Sequence, residues 1–215
     1  MSRSYRRSVN SNAAIVLAAE SSQRVESPKQ LLDLNDRPLL EQVVADVMTW
    51  PVDSVVVVIG ACVDAILEAV DFGEALVAID ESWEVGLASS LRVGLDVLAR
   101  DPKWDGALVA LGDQPAIPEA VPGRLIAAAA ETRRPATVPV YRYQRGNPMF
   151  FDRSLWPRLM TLTGDGGTAT LLASHPELVE EVRFPELPPR RIETAEDVAD
   201  LIAAMRHDTG RAASH

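Results

Sequence analysis

Two cations stand five residues apart in the polar stretch 20–29, Arg24 and Lys29, directly after an apolar run at 13–19. Arginine grips a phosphate through parallel N–H bonds and lysine acts as a point charge, so the pair suits a polyphosphate. A solvated surface loop with two ordinary charges is the plainer alternative. Asp113 ends a second apolar run, in Leu111-Gly112-Asp113-Gln114-Pro115. A carboxylate there suits Mg²⁺, a hard cation that prefers oxygen ligands. It would equally cap the following turn. Glu193 is a candidate second metal ligand just before the last helical stretch. Its neighbours Thr194 and Asp197 read as a capping box with Asp in place of Glu or Gln. The run Gly164-Asp165-Gly166-Gly167 precedes a short helical stretch with Leu171 and Leu172. Its amides offer an anion site, or the glycines serve a tight turn with positive φ. His175, His207 and His215 are scattered, so no zinc site is expected. Neither a Gly-x-Ser-x-Gly elbow, a Walker A loop nor a Gly-x-Gly-x-x-Gly fingerprint occurs.

These residues need a frame that brings them together. The runs at 13–19, 54–60, 75–79 and 106–111 are short and apolar, as expected of strands in a parallel sheet covered on both faces. Helical spacing at 39–48 (opened by Pro38), 63–70, 88–99 and 118–130 alternates with them. A fifth strand is expected at 136–140. The segment 148–151 reads as a strand antiparallel to the rest or at a switch point. Another strand at 179–184 lies near an edge, and a closing helix covers 195–205. The alternation predicts right-handed βαβ units and a mostly parallel sheet between helical layers. Ligands bind such sheets beyond the carboxyl ends of the strands, where the loops named above fall.

The chain has 215 residues, a length for one α/β domain, here expected at 13–205 with flexible tails at 1–12 and 206–215. The charge balance of −10 argues against nucleic acid as the main partner, but not against a single nucleotide. The apolar runs are too short to span a membrane, and no signal-peptide pattern is present. Cys62 is the only cysteine, which suits the reducing cytoplasm.

The pieces resemble, in order, the motifs of the molybdenum-cofactor nucleotidyltransferases, MobA-like NTP transferases, above all the MocA-like cytidylyltransferase branch. The signature loop is Leu17-Ala18-Ala19-x-x-Ser22-x-Arg24-x-x-x-Pro28-Lys29. There follow Trp83-x-x-Gly86-x-x-Ser89-Ser90-Leu91-x-x-Gly94-Leu95, Leu111-x-Asp113-Gln114-Pro115, Arg145-Gly146-x-Pro148, Gly164-Asp165-x-Gly167 and Ile192-Glu193-Thr194-Ala195-Glu196-Asp197. The resemblance implies a three-layer Rossmann-like nucleotidyltransferase fold. It also implies transfer of an NMP, CMP favoured, from an NTP to a phosphomonoester such as molybdopterin, with release of pyrophosphate. Leu17, Ala18, Ala19, Ser22, Gly86, Ser89 and Ser90 would line the nucleotide, with the two serines near base and ribose. Arg24 and Lys29 would hold the triphosphate. Asp113 and Glu193 would bind Mg²⁺, or Mn²⁺ in its place. Gly146, Asn147, Pro148 and Asp165 would face the acceptor.

Two loop residues depart from the pattern. The family has glycine where this chain has Glu20 and Glu26. A carboxylate about 4 Å from a phosphate costs on the order of 4 kcal/mol at an effective dielectric near 20. Val25, Asn147 and Ala195 replace methionine, histidine and proline, and Glu193 is one methylene longer than the family's aspartate. Besides an active transferase, two further readings stay open. One is a catalytically degenerate relative acting as a binding or regulatory protein; the other is an unrelated small-molecule α/β enzyme.

Overall fold

The computed structural model describes residues 11–21 and 28–212. The strands are β1 Ser11–Ala18, β2 Ser54–Ile59, β3 Leu76–Ile79, β4 Trp104–Leu111, β5 Ala136–Tyr141, β6 Gln144–Arg145, β7 Met149–Asp152 and β8 Val179–Phe184. The α-helices are α1 Leu39–Met48, α2 Val63–Ala69, α3 Leu87–Ala99, α4 Ala120–Thr132, α5 Trp156–Leu159, α6 Gly167–Ser174 and α7 Ala195–Ala212.

The strands form one sheet in the order β3-β2-β1-β4-β7-β5-β6, with β8 paired to β5. β1 to β4 run parallel. β7 is antiparallel to both β4 and β5, and β8 is parallel to β5 at the far side. The antiparallel strand expected near 148–151 is therefore a bridge within the sheet.

Side-chain alternation along β1 divides the core. Ala14, Val16 and Ala18 face one layer, with Val43 and Val47 of α1 and Leu125 of α4. Ala13, Ile15 and Leu17 face the other, with Leu91, Leu95 and Leu98 of α3. This is the three-layer α/β arrangement the alternation of elements predicts. Gly94 permits the tight seat of α3, because a Cβ there would lie 2.6 Å from a methyl of Ile15.

The structure differs from the pattern at several points. β1 begins at Ser11, where its first residues still pair with β4. The last helix, expected to end at 205, continues to Ala212, so 206–212 is helical. β6 and α5 carry no period long enough to read from sequence. β3 is an edge strand with Leu76, Val77 and Ile79 exposed. Of the expected N-terminal tail, residues 1–10 lie outside the described residues. Among the described residues, no helix is long and apolar enough to cross a membrane.

Successive strands step outward from β1 to β3, and β4 then returns to the other side of β1. That reversal opens a crevice beyond the carboxyl ends of β1 and β4. Glu20 follows the first of these strands and Asp113 the second.

Candidate active site

The crevice contains a compact charged cluster. Lys29 opens a short 3₁₀ turn after the first loop and is only 3% exposed. Its Nζ donates to Asp113 Oδ2 at 2.6 Å and to Glu20 Oε2 at 3.3 Å, and Glu193 Oε1 lies 3.6 Å away. Arg191 enters from the opposite side. Its Nη2 donates to the same Asp113 oxygen at 2.6 Å and to Glu20 at 2.8 Å, while Nε reaches Asp113 Oδ1 at 3.2 Å. Among the described residues, three carboxylates and two cations thus share one site.

The surrounding chain sets this geometry. Gln30, buried beside Lys29, donates to the carbonyls of Ala18 and Glu20, both at 2.8 Å, and ties the loop's return to its start. The backbone carbonyl of Asp113 accepts from Ile192 N at 2.8 Å, and Gln114 Nε2 donates to Pro189 O at 2.5 Å. The segment 189–192 is thereby strapped across the end of β4. Burial lowers the affinity of Lys29 for its proton, but the charge and hydrogen bond of Asp113, with the charge of Glu20, outweigh it. The net effect is a pKa above the ordinary lysine value, so Lys29 is cationic at neutral pH. For Arg191 too, its bonds and charge attraction to Asp113 and Glu20 exceed burial and raise its pKa.

Beside the cluster lies an apolar cavity of about 170 Å³, lined by Leu17, Leu91, Leu111, Met149 and Phe151 with Asn147 at its polar side. Asn147 Nδ2 donates to Gln114 Oε1 at 3.3 Å, and Tyr141 donates its hydroxyl proton to the Asn147 carbonyl at 2.8 Å. Asn147, next to Asp113 through Gln114, therefore connects cavity and charges. Gly146 bonds back to Pro139 at 3.1 Å, and Pro148 is buried.

The residues named from sequence meet different fates. Lys29, Asp113 and Glu193 converge; Leu17 and Ala18 line a small cleft with Lys29 and Asp113, and Ala19 is buried directly after β1. Ser22, Arg24, Val25 and Glu26 lie outside the described residues. Ser89 and Ser90, expected near base and ribose, instead turn inward. Their hydroxyls donate to the two oxygens of buried Asp80, each at 2.9 Å. Asp165, expected toward the acceptor, borders the cavity, and its Oδ1 also accepts from Leu87 N at 2.9 Å, capping α3. Glu20 was expected as a bare charge against the nucleotide; the structure pairs it with Arg191 and Lys29. Arg191 was not anticipated at all.

A profile of the MobA-like NTP transferase domain matches residues 14–179, which include the β1 loop, Asp113 and the Asn147 segment. The chain belongs to that family. Nicotine blue oxidoreductase of Paenarthrobacter nicotinovorans is 29% identical over 177 residues, covering 77% of this chain and 83% of that protein. The Rv0371c homolog from Mycobacterium sp. strain JC1 superposes with a TM-score of 0.81 at 30% identity, over 91% of this chain and 97% of that one. The complex of Mycobacterium tuberculosis Rv0371c with manganese gives a TM-score of 0.76 at 28% identity, over 89% and 98%.

Divalent metal is thus present in one related structure, and the donor chemistry of this NTP transferase domain can be tested against it. Mg²⁺ takes one or two carboxylates and completes its shell with water and substrate phosphate. Asp113 and Glu193, both against Lys29, offer two hard oxygen donors of this kind. Among the described residues, no group of three or more His, Cys, Asp or Glu side chains is placed to hold a metal ion by itself. Two carboxylates therefore fit a metal that completes its shell with water or with phosphate.

The capping box beside this site has the expected form. Asp197 Oδ2 accepts from Thr194 N at 2.9 Å and from Glu193 N at 3.0 Å, and Thr194 Oγ1 accepts from Asp197 N at 3.2 Å. The hydrogen bonds from Thr194 and Glu193 hold the Asp197 carboxyl below the usual aspartate range. Its contribution is complete above the unfolded aspartate pKa and fades as pH falls through the lower folded one. Asp197→Ala is expected to cost about 1 kcal/mol at pH 7. In urea titrations that difference should shrink toward pH 2; a constant difference would contradict the cap.

Proposed function

We propose that this chain is a nucleotidyltransferase that moves an NMP, CMP in first place, from an NTP to a phosphomonoester acceptor and releases pyrophosphate. The observation that carries this reading is Lys29, a buried amine, cationic at neutral pH, seated on Asp113 at the crevice between β1 and β4. Membership of the MobA-like NTP transferase family supports it. A phosphate oxygen of the acceptor attacks the α-phosphorus in line, and the bond to the bridging oxygen breaks as pyrophosphate leaves. Such a reaction depends on positioning and charge neutralisation more than on a protein nucleophile.

In this scheme Lys29 and Arg24 hold the triphosphate. Asp113 orients Lys29 through its hydrogen bond. Asp113 and Glu193 would hold Mg²⁺ or Mn²⁺, which supplies shielding of the phosphate charge when bound. Leu17, Ala18, Ala19, Ser22 and Gly86 shape the nucleotide side. Ser89 and Ser90 act there indirectly, by fixing the first turn of α3 on Asp80. Gly146, Asn147, Pro148 and Asp165 shape the acceptor side. The adjoining cavity, an apolar wall with Asn147, Asp165 and Thr168 also in its lining, suits an acceptor with a flat ring body carrying hydrogen-bonding edges next to its phosphate, as in molybdopterin. The single thiol suits work in the cytoplasm.

The test is pyrophosphate release from each of the four NTPs with Mg²⁺ or Mn²⁺ and a panel of phosphorylated acceptors. Release that needs both CTP and an acceptor is the expected result; no release with any pair would overturn the reading. Glu20 favours one second reading, a binding or regulatory protein without turnover, because its carboxylate stands where the family has glycine. That reading expects nucleotide or acceptor binding with no pyrophosphate formed.

A further inference from the structure

The occupant of the cluster is a side chain. Arg191 engages both oxygens of Asp113 and shares Oδ2 with Lys29. Glu20 accepts from the same Nη2 at 2.8 Å and steadies the guanidinium from above. We infer that Arg191 is the resident cation of this site, that it competes with a divalent metal for Asp113, and that Glu20 latches it there. The inference rests on the reading that Asp113 and Glu193 take a divalent ion.

The geometry supports the competition. Both oxygens of Asp113 already accept N–H donors, Oδ2 from Lys29 and Arg191 and Oδ1 from Arg191, so a metal binding there at about 2.0–2.1 Å must compete with the guanidinium. Arginine also cannot vacate by losing its proton, since it remains charged at any working pH. It leaves only by swinging away, which its 42% exposed side chain permits. The backbone that carries it stays put, because Ile192 N is bound to the Asp113 carbonyl at 2.8 Å and Ile192 is fully buried. Exchange is therefore a side-chain event.

Charge points the same way. Among the described residues, Glu20, Asp113 and Glu193 against Lys29 and Arg191 sum to one net negative charge. Without Arg191 the net charge is two negative, which matches a divalent cation. Arg191 thus sets the metal concentration at which the site loads. It also explains how the chain accommodates Glu20: the extra carboxylate comes with its own counter-ion.

The test is Mn²⁺ binding to the full chain without nucleotide, read by calorimetry and by the electron paramagnetic resonance signal of free Mn²⁺. Arg191→Ala should bind Mn²⁺ about tenfold more tightly than the natural chain, within the usual range for coupled sites. Arg190→Ala is the control. It removes the same charge one residue away, where it faces Asp197 and Asp200, and should stay within about twofold. Adding Asp113→Asn to Arg191→Ala should abolish the gain. Arg191→Gln, which keeps the side-chain length, should behave as Arg191→Ala and guards against a local collapse. Equal affinities in the natural chain and both Arg191 variants, or an equal gain from Arg190→Ala, would overturn the inference. So would absent Mn²⁺ binding in the variants. Pyrophosphate release tests the transferase reading separately, since this measurement uses neither nucleotide nor acceptor.

Discussion

Lys29→Met is expected to lower stability by about 3 kcal/mol, the lower end for breaking a buried ion pair. The lysine and aspartate side chains are 4% and 6% exposed, so water cannot replace the lost partner. Arg191 remains on Asp113, which keeps the cost from the upper end of the range. For a chain of this size the thermal midpoint should fall by about 6–12 °C. NTP affinity should fall by about a hundredfold, near 2.7 kcal/mol, as a phosphate ligand disappears. Lys103 is the only other lysine and is exposed, paired with Asp101 on the surface. Lys103→Met should therefore change neither quantity. Paired thermal melts and nucleotide titrations check both expectations. A Lys29→Met protein as stable as the natural chain would show that the pair with Asp113 is not the anchor described above.

Gly86→Ala is expected to be comparably damaging for a different reason. Gly86 has φ 111° and ψ 176°, a region essentially reserved for glycine. A side chain there costs on the order of 1–3 kcal/mol in backbone strain. The added Cβ would also lie 2.5 Å from Asp165 Oδ1, the atom that caps Leu87 N. Losing that cap adds about 1 kcal/mol. The combined loss of about 2–4 kcal/mol should divide in a double-mutant cycle. In an Asp165→Ala background the clash and cap are gone, so Gly86→Ala should cost less but retain the strain. Full additivity in urea titrations would contradict the contact.

The Gly86–Asp165 contact also shows where sequence reading stops. The two residues belong to motifs 79 positions apart, and each offered a local reading: a loop glycine, and an anion-binding or turn aspartate. Their shared role as hinge and cap of α3 exists only once the chain has folded. Ser89 and Ser90 are similar. Their residue type suggests contact with a ligand, yet Asp80, nine and ten positions earlier, draws both hydroxyls inward. Arg191 was invisible because it sits in an irregular, proline-rich connector with no period, and its partners Asp113 and Glu20 are 78 and 171 positions away.

What could be read followed from strong local physics. β1, β2 and β4 are covered on both faces, so their sequences are continuous apolar runs bounded by polar loops. Their order and the right-handed crossover rule place Lys29 and Asp113 at one rim before any coordinates are known. β6, two exposed residues long, carries no such signal. α7 outran its expected end because polar residues after Met205 continue a helix already nucleated by the Thr194–Asp197 box.

A transferase of this kind must bind a nucleoside triphosphate in the crevice. Calorimetric titration of the full chain with CTP, GTP, ATP and UTP, each with Mg²⁺ and with Mn²⁺, tests that. The expected result is binding in the micromolar range by one nucleotide, CTP, that weakens about a hundredfold in Lys29→Met. Absence of binding by all four in the folded natural chain would contradict it, and would show that Glu20 and Arg191 close this crevice to nucleotides.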